Sequence, residues 1–199
     1  MRSDPDPQAG PSGLPPGQTV REVLPVKHYG RVPKERPAWP LMVVGRTPGP
    51  EVLDLEDLVG RLERVGVRSD LHCASGWSVC GLEWEGVRTA DVLALLPPPA
   101  GTVGVLALAE YGYTANVRVA DLQRPTSLLA VGLAGGPLPA EHGGPVRLVV
   151  PHLYGYKSVK WFRGWEYLAR LRRGFWEERG YHLVGDPWTG RRYSYQEDA

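Results

Sequence analysis

Apolar positions along this chain form short unbroken runs and one helical stripe. Residues 39 to 45 (W-P-L-M-V-V-G) make a brief apolar run closed by glycine, the usual form of a buried strand. Residues 103 to 109 and 146 to 151 are β-branched and leucine-rich almost without polar interruption, which predicts central strands. Residues 128 to 132 look similar but shorter, and a further strand is predicted at about 158 to 168. Leu55, Leu58, Val59, Leu62 and Val65 recur on one helical face, with Asp54 placed to cap and Glu56 and Asp57 in the first turn. Thr89 is predicted to cap a second helix over residues 90 to 96, which Pro97, Pro98 and Pro99 stop. No internal repeat or heptad is present, so the pattern predicts an α+β domain of mixed sheets, short helices and long loops.

Composition adds boundaries. The first 24 residues are rich in Pro, Gly, Asp and Ser and offer little apolar surface to offset ordering entropy, so they are expected to be a disordered tail before a single domain at 25–199. Lys plus Arg (23) nearly balances Asp plus Glu (22), which removes a general electrostatic case for nucleic acid or an anionic membrane as partner. No run approaches the roughly 20 apolar residues of a membrane span, and the N-terminus shows no apolar signal core. A cytoplasmic location is the expectation. Only two cysteines occur, Cys73 and Cys80, too few for a disulfide framework.

Two clusters could carry chemistry. Cys73 lies in L-H-C-A-S-G-W-S-V, after a predicted strand and before a Ser-Gly turn. It can be an inert buried thiol, a zinc ligand with Cys80 and histidines, or a nucleophile partnered by His142 or His152. The second cluster runs E-H-G-G-P-V-R-L-V-V-P, then H-L-Y-G-Y-K-S-V-K-W. It places Arg147 inside an apolar strand, where a charge is costly unless it meets an internal carboxylate or a bound anion. Lys157, Ser158 and Lys160 add two cations and a hydroxyl suited to phosphate oxygens.

H-C-A-S-G-W-S-V, G-L-E-W-E-G-V, E-H-G-G-P-V-R-L-V-V-P and Y-G-Y-K-S-V-K-W occur in an order that resembles the molybdopterin-binding domain of the sulfite oxidase family, over residues 25 to 182. The W-S after the cysteine is closer to bacterial protein-methionine-sulfoxide reductase catalytic subunits and their short relatives than to sulfite oxidases. The resemblance implies that fold, a molybdenum-molybdopterin cofactor and an oxidoreductase that moves an oxygen atom to or from a small or sulfoxide-type substrate. It implies Cys73 as the metal ligand, and Cys73 and Tyr113 as the catalytic residues near the metal. It implies Lys27, His28, Tyr29, Cys73, His142, Arg147, Ser158, Val159 and Lys160 as cofactor contacts. Sulfite oxidases place arginines shortly after the metal cysteine, where this chain has Trp77 and Ser78, which argues against sulfite. No haem-binding or dimerisation segment is recognisable, so a separate redox partner protein is expected. A non-catalytic pterin-binding or protein-interaction scaffold of the same fold is the alternative.

Overall fold

The computed structural model describes residues 13–197. Its strands form two mixed sheets, connected by long loops and three short helices. One sheet is built on β5 (Trp77–Arg88), a twelve-residue strand that pairs with β1 (Thr19–Val20), β4 (Arg64–Cys73) and β8 (Leu128–Leu133). Beyond β8 lie β9 (Gly136–Pro137) and β10 (Arg147–Val149). The second sheet runs in the order β3 (Glu51–Asp54), β2 (Pro40–Val44), β11 (Phe162–Leu168), β6 (Gly104–Ala109), β7 (Thr114–Arg118). The helices are α1 (Leu55–Gly60), α2 (Thr89–Leu95) and α3 (Val119–Leu122). This is the α+β architecture of mixed sheets and short helices that the pattern predicts. Among the described residues no helix is long and apolar enough to cross a membrane.

The main core lies where the sheets and helices meet. Leu41 and Val43 of β2, Val105 and Ala107 of β6, Leu55, Leu58 and Val59 of α1, and Leu148 beside Arg147 are all buried there. A second cluster joins Leu71, Trp77, Val79 and Trp84 of the β4–β5 hairpin to Leu128 and Ala130 of β8. Burying such side chains stabilises the fold by roughly 1.5–3 kcal/mol each. β6, β8 and β10 are buried along most of their length, as their unbroken apolar runs predict. β2 instead alternates, with Met42 left 39% exposed, because one of its faces meets solvent.

Local departures from the pattern have identifiable causes. Asp54 does cap α1, accepting from the Glu56 amide at 2.8 Å, but the helix stops at Gly60 and Val65 belongs to β4. A glycine followed by strand pairing wins over the last turn of the stripe. Thr89 is the first residue of α2 and does not cap it: its hydroxyl donates to the Leu122 and Ser127 carbonyls, and Arg88 is the capping position. The last strand starts at Phe162, later than the predicted 158, because Gly155–Lys157 closes a 3-10 turn first. Residues 1–12 of the expected tail lie outside the described residues. Within residues 13–24, Leu14 is buried and β1 pairs in parallel with the start of β5.

Candidate functional site

Cys73 is the last residue of β4, and Trp77, its register partner, opens β5. The turn between them is closed by the Gly76 amide donating to the Cys73 carbonyl at 3.0 Å, with Gly76 at a positive φ of 92° that favours glycine. Strand pairing therefore sets Cys73 and Trp77 side by side on one wall of a cavity of about 410 Å³. Cys73 is half-buried, and its Sγ lies 3.1 Å from Ser75 Oγ. Cys80 is exposed, and burial together with nearby Asp70 pushes its thiol up.

The cavity also carries two cations. Arg147, on β10, lines it while only 3% exposed. Its Nη1 donates to the His142 carbonyl at 3.2 Å, its guanidinium lies 5.4 Å from the Trp84 ring centre, and its Nε has no partner. Burial pushes the guanidinium down to about 10, with Tyr113 opposing. Lys160 Nζ donates to the Glu141 carbonyl at 2.6 Å, and burial, then the like charge of Arg147, lowers it to about 7. Neither cation has a carboxylate partner among the described residues. A buried guanidinium with an orphaned Nε, beside a half-buried lysine that has no ion-pair partner among the described residues, suits an anion. Gly143, at a φ of 114°, lets the loop pass close to Lys160: a Cβ there would lie 3.0 Å from the lysine Cβ.

The remaining walls are aromatic. Trp161 lines the cavity in a left-handed conformation (φ 51°) that few non-glycine residues adopt. Its indole donates to the Ala140 carbonyl at 2.7 Å, and the His28 ring sits 5.1 Å from it. Tyr29 and Tyr113 flank Phe175 at 4.4 and 5.6 Å, and Trp176 and Tyr181 close the far side. Tyr113 Oη donates to the Tyr156 carbonyl at 2.6 Å, and burial first, then Glu177, hold its phenol well above the usual range.

Of the positions singled out in the sequence, Lys27, His28, Tyr29, Cys73, Tyr113, Arg147, Ser158 and Lys160 all line this one cavity. Ser158 does so with its hydroxyl already accepting from the Val150 amide at 3.0 Å. His142 and Val159 do not line it. Val159 is fully buried, its carbonyl accepting from Leu148, whereas His142 supplies its carbonyl to Arg147 and keeps its Nδ1 buried without a partner. Burial and Lys160 lower the His142 imidazole.

Lys157 departs from the phosphate-binding expectation. It is fully buried and donates to Glu177 Oε1 at 2.6 Å, Leu183 O at 2.7 Å and Asn116 O at 3.0 Å. The zinc reading fails, because no group of three or more His, Cys, Asp or Glu side chains capable of holding a metal exists among the described residues. The Cys-His nucleophile fails too: no imidazole hydrogen-bonds Cys73 among the described residues, and His152 is engaged by Asp121 at 3.0 Å. Trp176 and Tyr181 were not singled out from the sequence. Their signal was the aromatic density of the last third of the chain, which does not say which rings face inward.

The donor set fits a molybdenum-pterin group. A soft thiolate at a strand end suits the metal, and cations without acids suit an anionic tail. Relatives agree. Over 191 residues, the chain is 40% identical to the oxidoreductase YuiH of Bacillus subtilis (strain 168), covering 94% of this chain and 96% of YuiH. It is 30% identical over 155 residues to the protein-methionine-sulfoxide reductase catalytic subunit MsrP of Xanthomonas campestris pv. campestris, covering 70% of this chain but 48% of MsrP. The sulfane dehydrogenase SoxCD of Paracoccus pantotrophus shares the fold at TM-score 0.58 and 24% identity, over 66% of this chain and 38% of that one. Residues 29–176 match the oxidoreductase molybdopterin binding domain, a stretch that holds Cys73, Tyr113, Arg147 and Lys160. The chain belongs to that family: it is a molybdopterin-dependent oxidoreductase whose resident group is a molybdenum-pterin cofactor.

Proposed function

We propose that this oxidoreductase transfers an oxygen atom to or from a small, sulfoxide-type substrate, exchanging electrons with a separate partner protein. The observation that supports it is that one cavity is lined by Cys73, by aromatic rings, and by Arg147 and Lys160, neither of which has a carboxylate ion-pair partner among the described residues. The bound cofactor supplies two-electron oxygen-atom chemistry; the chain supplies ligation, orientation and electrostatics. Cys73 would hold the metal through its thiolate. Arg147 and Lys160 would hold the anionic end of the pterin, with the His142 carbonyl aiming the guanidinium. Lys27, His28 and Tyr29 border the cavity from the segment before β2.

Tyr113 is best placed as a positioning residue. Its hydroxyl is committed to the Tyr156 carbonyl and stays protonated, so it steadies the turn that carries Tyr156. Trp77 stands beside Cys73 where an oxyanion site would need an arginine, while Ser78 points away from the cavity to His72 Nδ1 at 2.8 Å. Trp77, Trp176 and Tyr181 suit the sulfur and methyl groups of a sulfoxide or thioether. The name of the MsrP relative supports the same substrate class. Reduction of a sulfoxide consumes two electrons and two protons and releases water, so the partner would deliver reducing equivalents.

The test is molybdenum stoichiometry with substrate turnover. Wild-type chain from a molybdenum-sufficient host is expected to carry about one molybdenum per chain and to reoxidise a reduced viologen with methyl sulfoxides. Cys73→Ala is expected to lose both the metal and the turnover. Full molybdenum occupancy in Cys73→Ala would refute the ligand assignment. A metal-loaded wild type inert to every sulfoxide would refute the substrate class.

A further inference from the structure

We propose that Gln18 is a positioning residue for Cys73, acting from a strap that lies outside the matched residues 29–176. This rests on Cys73 being the metal-binding cysteine. The Cys73 carbonyl accepts two hydrogen bonds, one from the Gly76 amide at 3.0 Å and one from Gln18 Nε2 at 3.1 Å. A carbonyl has two lone pairs, and these two donors occupy both. The first bond comes from the turn itself. The second crosses 55 positions of sequence and exists only if the strap is in place.

The Gln18 amide is held in turn. Its Oε1 accepts from Ser78 Oγ at 3.2 Å, and Ser78, completely buried, meets His72 Nδ1 at 2.8 Å. His72 directly precedes Cys73. The amide thus bridges both strands of the hairpin, the carbonyl of the cysteine and the side chain opposite its neighbour.

Backbone bonds lock the strap to the hairpin, from the Thr19 amide to the Gly76 carbonyl at 3.0 Å and from the Arg21 amide to the Ser78 carbonyl at 2.8 Å. On its other side Arg192 Nη2 donates to the Gly17 carbonyl at 2.7 Å. The strap is therefore clasped between the hairpin and the C-terminal segment, and Gln18 is the side chain it sends to the cysteine.

The consequence is directional. The Cα frame at Cys73 sets where the Cα–Cβ bond points, so a hairpin end free to shift would carry the thiolate away from the direction the pairing gives it. A bond fixed by two donors removes that freedom before any cofactor arrives, which is preorganisation of a ligand by its supporting contacts.

Cys80 provides an internal standard, because it is exposed on β5, the strand paired with the one that ends in Cys73. Iodoacetamide labelling of both cysteines, resolved by peptide mass spectrometry, is measured on cofactor-free full-length wild type, Gln18→Ala and Gln18→Glu. Glutamate keeps the acceptor for Ser78 and removes the donor to Cys73, so it isolates the proposed bond. The Cys73-to-Cys80 rate ratio is expected to rise about fivefold in both variants, the factor for one lost hydrogen bond. The molybdenum(V) resonance of the loaded variants is expected to shift or broaden. An unchanged ratio in Gln18→Glu overturns the proposal, and so does an equal rise at both cysteines, which would mean general loosening. The labelling needs no metal, so its result is independent of the Cys73→Ala metal analysis that decides the ligand assignment.

Discussion

Lys157 and Lys160 stand three residues apart in one connection, and the fold treats them in opposite ways. Lys157 has three acceptors, one of them the Glu177 carboxylate, and no exposure. Lys160 lines the cavity beside a second cation, Arg147, with one backbone carbonyl as acceptor and no ion-paired acid among the described residues, Glu141 acting on it only through space. Complete internal pairing marks a cation that holds the structure together, whereas desolvation left uncompensated marks one whose counter-charge arrives from outside. Sequence spacing cannot separate the two, because both sit in the same K-S-V-K motif.

The largest way to break this contrast is on the paired side. Glu177→Ala leaves a buried ammonium uncompensated and is expected to destabilise the chain by about 3–5 kcal/mol in denaturant unfolding. A loss under about 1 kcal/mol would mean that Lys157 is not structural. Arg147→Met tests the other side and is expected to split two readouts. The cofactor-free chain stays at least as stable as wild type, because an uncompensated buried charge is gone, while molybdenum retained through dialysis falls about 10- to 100-fold, the range for a charged hydrogen bond. Parallel loss of stability and retention would place Arg147 in the first class after all.

The smallest effect is a slope. Lys160 titrates near 7 in the folded chain but near the ordinary lysine value, about 10.4, when unfolded. Between those values the unfolded chain binds more protons, so the stability of the cofactor-free protein is expected to rise with pH across that window. The groups around Lys160 are Arg147, Glu141 and His142; the lowered His142 lies below the window, and Arg147, pushed down to about 10, enters only at its upper end. Lys160→Met is expected to flatten the rise, read as denaturation midpoints at pH 7, 8 and 9, below the range in which Arg147 contributes. An identical slope in that variant would show that Lys160 is solvated.

Much of the fold was legible. The apolar runs of β6, β8 and β10 mark strands because nothing polar interrupts them, and Arg147 stood out as the exception inside one. The motif blocks pointed to Cys73, Arg147 and Lys160, and all three line one cavity. Gln18 was hidden because a Pro/Gly-rich segment lacks the apolar surface that signals packing; it is held by hydrogen bonds to β5 and by Arg192, which no local pattern encodes. Thr89 was misassigned because a hydroxyl next to a helix start has a local use as a cap and here has a tertiary one.

The clasp on the strap also orders events in time. A ribosome releases the Cys73 hairpin, then Arg147 and Lys160, and only later Arg192, whose bond to Gly17 spans 175 positions. Every wall of the cavity up to Tyr181 emerges before the residue that fastens the strap from outside. The nascent chain can therefore present a nearly complete cofactor cavity whose cysteine loop is not yet fastened, and the C-terminal segment closes it last.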